Sequence, residues 1–174
     1  MSSPITVSWD DAAVTAALAR MRQKTDNLAP LLKGIGEDLV ESTKQRFNTA
    51  TDPDGAPWAA NSPVTILRYL GLTQGNTRKD GALSKRGEAV QGSKKPLTGE
   101  SRALKSQIFY RLKGNVLEVG STVEYSAVQQ FGAKKGSLGS QAPWGDIPAR
   151  PFLGISAEDC RVIDRSILDY LNIV

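Results

Sequence analysis

The carboxylates are the first residues to test for chemistry, because the chain of 174 residues holds no histidine and one cysteine, Cys160. Without imidazole there is no Ser-His-Asp or Cys-His nucleophile and no histidine-bound zinc, and a lone cysteine cannot close a disulfide within one chain. Acid-base work falls to Asp, Glu, Lys or Tyr. The acidic residues come mainly as Asp10-Asp11, Glu37-Asp38-Glu41, Asp52 with Asp54, and Glu158-Asp159. The first and last groups fall where helices should start, at the end of the helix dipole that favours negative charge. The middle group lies on the polar side of a long helix. Asp52 and Asp54 could both reach one cation, yet two carboxylates in a turn lack the ligand series of a calcium loop. No glycine-rich loop ends in Lys-Ser or Lys-Thr at a helix start, and no Gly-x-Ser-x-Gly elbow occurs. No catalytic residue, cofactor or metal ligand is expected.

Charge gives a second lead. The formal net charge is +4, but it is concentrated: Arg68, Arg78, Lys79, Lys85, Arg86, Lys94 and Lys95 stand against Asp80 and Glu88 between positions 61 and 96. That segment is also rich in glycine and, from Thr73 to Pro96, has no sustained apolar period. It is expected to form an irregular basic arm, its cations facing acidic protein or nucleic-acid phosphate. No aromatic lies between Tyr69 and Phe109, so the stacking platform of a single-strand binder is missing.

These residues must be positioned by a domain small enough to be single over 1–174. Asp10 and Asp11 can cap a first helix ending near Asp26, with Val14, Ala17, Leu18 and Met21 on one face. A longer helix runs from about Pro30 to Asn48, its apolar stripe formed by Leu28, Leu32, Ile35, Leu39, Thr43 and Phe47. Gly34 and Gly36 weaken it by about 1 kcal/mol each unless another backbone approaches there. Asp52-Pro53-Asp54-Gly55 is a turn, and Trp58 just beyond it should anchor the loop to the core. Leu97-Thr98-Gly99 opens a short helix through Leu104. Ile108–Leu112 and Val116–Gly120 alternate as a β-hairpin with the three-residue loop Lys113-Gly114-Asn115. Tyr125 to Phe131 suits one or two helical turns closed by Gly132, with Tyr125 and Phe131 expected in the core.

Lys134 to Asp146 is an irregular loop containing Trp144. After Pro151 a third, edge strand is expected, because Pro148 and Pro151 confine pairing to that end. Ser156 with Asp159 resembles a capping box for a last helix, whose buried face would hold Cys160, Ile163, Ile167 and Leu171. The expected fold is α+β: a small antiparallel sheet of three or four strands packed by helices, with two N-terminal helices and a long basic arm. No apolar run approaches a membrane span, and Met1 to Trp9 lacks the layout of a secretory signal, so the chain reads as cytosolic in origin.

Several runs combine into a pattern. Phe47 followed by Asp52-Pro53-Asp54-Gly55-Ala56-Pro57-Trp58, then Leu97-Thr98-Gly99, then Val119-Gly120-Ser121 with Tyr125-Ser126-Ala127-Val128-Gln129-Gln130-Phe131-Gly132, and then Ile147-Pro148-Ala149-Arg150-Pro151-Phe152-Leu153-Gly154-Ile155 occur in that order. Together they resemble the phage virion morphogenesis family, the Mu-like tail completion group. The chain departs from that pattern in having Arg102 where leucine is common and Gln129 where histidine is common. The resemblance implies a structural protein of the head–tail junction, assembled in the host bacterial cytoplasm and carried in the virion. It also implies a homo-oligomeric ring, with a hexamer as the expectation, docked to the tail tube and to head-side neck or connector proteins, with no membrane partner and only incidental contact with genome DNA. In such a ring the basic arm, the loop bearing Lys134, Lys135 and Trp144, and Arg150 are candidate contacts. Arg150 could pair with a carboxylate within the subunit or across an interface. The competing reading is a nucleic-acid-binding module that uses the arm as a phosphate clamp.

Overall fold

The computed structural model describes residues 11–71, 74–99, 101–137 and 145–171. Chain order within them is α1 (Ala12–Asp26), α2 (Ala29–Thr49), α3 (Pro63–Gly71), α4 (Lys85–Ser93), α5 (Ala103–Ser106), β1 (Ile108–Lys113), β2 (Val116–Ser121), α6 (Ser126–Phe131) and α7 (Ala157–Leu171). Helices and one small antiparallel sheet share the fold, as the α+β expectation requires.

α2 is the axis of the molecule. Its stripe buries Ile35, Thr43 and Phe47, and it packs on the β1–β2 hairpin, on α5 and on α7. Gly36 permits the closest approach: a Cβ there would stand 2.6 Å from Tyr110 Cδ2 on β1, so the helix meets an aromatic ring rather than another backbone. Gly34 has open space around it. Pro30 stands in the first turn, where a missing N–H costs nothing. The core proper joins Phe47, Trp58, Leu104, Ile108, Val123 and Phe152. Phe47 meets Trp58 edge-on at a 5.3 Å centroid separation and Phe152 at 5.5 Å, favourable geometries for aromatic pairs. Trp58 is thus the expected anchor of the Asp-Pro-Asp-Gly turn.

Several expectations need correction. The sheet of the described residues has two strands, β1 paired with β2 from Ile108↔Ser121 to Lys113↔Val116. Its loop is two residues long, and Gly114 takes φ +61, a conformation glycine adopts without strain. The third strand is absent because Pro148 and Pro151 lack donors and, as described below, side chains hold the backbone that a ladder would have held. The short helix begins only at Ala103, since Leu97 (φ +57) and Arg102 (φ +51) break the backbone before it.

Cys160 is exposed rather than in the core. α7 is turned so that Asp159 is buried, with Val162, Ile163, Ser166 and Ile167 behind it half-buried. Tyr125 and Phe131 are also on the surface, 48% and 78% exposed. The apolar face of α1 is not covered: Val14, Leu18 and Met21 are exposed, and α1 is tied down at its C-terminal end, where the Tyr170 hydroxyl donates to Asn27 O at 2.5 Å. Asp11 makes no capping bond with its side chain, and Asp10 lies outside the described residues.

The segment 61–96 contains two helices where an irregular arm was expected. Ser62 and Pro63 start α3, the Ser62 hydroxyl accepting from Thr65 N at 3.2 Å. Ser84 caps α4, accepting from Gly87 N at 3.1 Å while its own hydroxyl donates to Gly75 O at 2.6 Å. Between them Asn76 is buried and donates to Leu70 O at 2.9 Å. α4 passes so close to it that a Cβ on Gly87 would lie 2.1 Å from Asn76 O. Contacts with Asn76 and α3 therefore order α4, whose sequence has no helical period of its own.

Candidate interaction site

The Pro-Ala-Arg-Pro-Phe-Leu-Gly segment joins no strand and is held in place by side chains. Gln130 on α6 does most of this: its Oε1 accepts from Phe152 N and Leu153 N, both at 3.0 Å, and its Nε2 donates to Leu153 O at 2.9 Å. Trp58 Nε1 donates to Pro151 O at 2.8 Å. Arg46 on α2 donates through Nη1 to Phe152 O and Gly154 O, both at 2.9 Å, and through Nη2 to Asp159 Oδ2 at 2.6 Å. Arg150 N donates to Gln129 O at 2.8 Å. Phe152 is thereby fixed in the centre of the core with none of its surface exposed. Two glycines admit close packing: Gly154 against the Pro53 ring, and Gly132 (φ +75), where a Cβ would stand 2.7 Å from Ile147 O.

Asp159 is fixed from both sides. Its Oδ2 also accepts from Ser156 N at 2.7 Å, and its N–H donates to Ser156 Oγ at 3.0 Å, completing the expected cap of α7. Burial by itself would raise the Asp159 carboxyl, but hydrogen bonds from Ser42 and Ser156 and the charge of Arg46 outweigh it and hold it below the usual carboxylate range. Burial lowers the Arg46 guanidinium in spite of Asp159.

Arg150 meets no carboxylate among the described residues, so of the two expected pairings, within the subunit or across an interface, the first is not formed there. It is 8% exposed. Its Nε donates to Ala59 O at 2.7 Å, its Nη2 to Ala60 O at 2.8 Å and its Nη1 to Gln129 Oε1 at 3.5 Å. Burial lowers its pKa from the usual arginine value. The residue opens onto a cleft of about 910 Å³ that Thr98, Gly99, Tyr125, Gln129 and Pro148 also line. The structure therefore gathers much of the four-part sequence pattern around one concave surface.

The remaining candidates are dispersed. Arg78 and Lys79 lie in the exposed turn between α3 and α4, and Lys85 and Arg86 are exposed in the first turn of α4. Lys94 Nζ sits 3.6 Å from the centroid of the Tyr69 ring, a cation–π contact. Lys95 Nζ donates to Asn48 O, and Lys105 Nζ to Asn48 Oδ1 at 2.7 Å. Both line a smaller depression of about 400 Å³ with Lys94 and Arg102. Lys134 and Lys135 are exposed, and Lys135 N donates to Asp146 Oδ1 at 2.8 Å. Trp144 lies outside the described residues.

In the turn, Asp52 Oδ1 accepts from Ala56 N at 2.8 Å, Gly55 takes φ +85 and Asp54 is exposed at the tip. Arg46 and Gln130 were missed by sequence reading. Arg46 had one signal: it sits on the apolar stripe, three residues after Thr43 and next to Phe47. Among the described residues no group of three or more Cys, Asp and Glu could hold a metal ion, and no helix is long and apolar enough to cross a membrane.

Comparison with known proteins places this geometry in context. The phage virion morphogenesis family matches residues 9–172. The chain is similar to the Mu-like prophage FluMu G protein 2 of Haemophilus influenzae, 27% identical over 161 residues that cover 92% of this chain and 91% of that protein. No solved structure matches.

Proposed function

Since the chain belongs to the phage virion morphogenesis family, we propose that it is a structural, non-catalytic component of the head–tail junction, acting in tail completion through ring assembly. It would form a homo-oligomer, with a hexamer as the first expectation, and dock between the tail tube and head-side neck or connector proteins. The observation that carries the reading is the family match over nearly the whole chain. The surface supports it. Val14, Leu18 and Met21 on α1, Val64 and Leu67 on α3, and Phe131 on α6 are large apolar side chains left exposed on the single chain. A closing heterologous ring needs two different patches on each subunit, and α1 and α6 are candidates for them.

The mass of the particle in solution and on isolated tails tests this. A monomer at every concentration that leaves tails unbound would overturn it. The exposed Arg78, Lys79, Lys85 and Arg86 sustain the alternative of a nucleic-acid clamp. Titration with duplex DNA at several salt concentrations separates the two, since a phosphate clamp must show a steep salt slope that is lost on replacing those four residues with alanine.

A further inference from the structure

We propose that the cleft at Arg150 is a receptor for a carboxylate on an acidic segment of a protein partner. The choice of a protein as occupant rests on the assembly reading above; the cleft's preference for a carboxylate does not. Arg150 is buried, and the three hydrogen bonds of its guanidinium all end on neutral oxygens: the carbonyls of Ala59 and Ala60 and, at the long distance of 3.5 Å, the Gln129 amide. A guanidinium has five N–H donors, so two have no acceptor among the described residues. Among the described residues no carboxylate meets this guanidinium; a cation removed from water in that way is costly, and a planar carboxylate matches its fork and offsets that cost.

The walls of the cleft define the rest of the ligand. Among the described lining residues Arg68 adds a second cation, Lys95 also lines the cleft with its Nζ donating to Asn48 O, and Asp146, which accepts from Lys135 N, is the one acid. Val64 and Tyr125 supply exposed apolar surface beside them. A volume of about 910 Å³ takes several side chains. The complement is an acidic residue flanked by apolar ones. Nucleic acid fits less well, because with Asp146 retained the small positive excess of the cleft and its apolar walls match one acidic group rather than a run of phosphates. A second copy is the competing occupant: the basic segment 61–96 that supplies part of this cleft disfavours a like segment there but not an acidic residue from elsewhere on a copy, and self-association in the test below separates the two.

The test uses the full chain labelled with nitrogen-15 and two probes, acetyl-Leu-Glu-Leu-amide and its Gln counterpart. The Arg150 Nε–H and Gln129 side-chain amide signals are expected to shift saturably with the Glu peptide and not with the Gln peptide. Arg68→Gln, at an exposed position, should weaken the Glu peptide about threefold. Equal responses to both peptides, no response at millimolar concentration, or displacement of the Glu peptide by a short DNA duplex would overturn the proposal. Shifts of the same signals on simple self-association would assign the carboxylate to a second copy and overturn the choice of partner. Binding to isolated tails is scored separately: a protein that docks on tails but ignores the Glu peptide fails this proposal alone, and one that binds the peptide but neither assembles nor docks fails the assembly reading alone.

Discussion

Arg46 on α2 and Asp159 at the start of α7 form an ion pair of 2.6 Å with 7% of each side chain exposed, and the same guanidinium holds the carbonyls of Phe152 and Gly154. Removing one partner of such a pair strands a buried charge. Asp159→Asn should therefore lower the unfolding free energy by about 3 kcal/mol or more, measured by urea titration. Replacing Arg46 and Asp159 together should cost less than the sum of the two single changes.

The same pair makes the fold sensitive to acid. The folded Asp159 carboxyl lies below its ordinary value of 3.8, so the unfolded chain binds the proton first. Its contribution is fully present above the unfolded value and is lost as pH falls through that value toward the folded one. The urea midpoint should hold near neutrality and drop below about pH 5, and the drop should be smaller in Asp159→Asn.

The two glycines of α2 should respond in opposite directions. Gly34→Ala enters open space in a helix interior and should stabilise by up to about 1 kcal/mol. Gly36→Ala would place a methyl 2.6 Å from Tyr110 Cδ2 and 3.0 Å from Leu117 Cδ1, and should cost about 1–3 kcal/mol. Thermal unfolding of both variants checks the contrast.

Gln130→Ala removes three bonds to the backbone of Phe152 and Leu153 at once. Leaving such groups unsatisfied should cost about 2–4 kcal/mol. Amide exchange should show the loss first at Leu153, ahead of the β1–β2 hairpin.

Phe131→Ser changes a side chain that is 78% exposed, so stability should move by less than about 0.5 kcal/mol. Under the proposed function the change should nonetheless reduce assembly or docking on tails, read as particle mass and tail occupancy. Unchanged assembly would remove α6 from the interface.

Legibility in the sequence followed the range of the interactions. α2, the hairpin, α6 and the cap of α7 rest on contacts within a few residues, and their periods and turn residues announce them. The missing third strand does not, because Arg46 and Gln130 replace a ladder from 106 and 22 residues away in sequence. Cys160 was misplaced for the same reason: the turn of α7 is set by Asp159 reaching Arg46, which no local pattern records. Tyr125 and Phe131 look like core by type, and only the packed structure shows that Phe47, Trp58 and Phe152 have already filled it. α3 could have been read from Ser62-Pro63, whereas α4 could not, since its Gly87 is chosen by Asn76. Around the cleft, the residues of the sequence pattern were legible, but the neutral partners of Arg150 were not.

The clasp that fixes Phe152 also orders events in time. Its two halves are more than a hundred residues apart along the chain, and closing it must overcome the entropy of a long loop before any reward is collected. During synthesis, the aromatic centre around Phe47 and Trp58 must wait, unfilled, until residues 152–159 have left the ribosome. A subunit truncated before them would thus present an open, sticky core rather than a smaller working part.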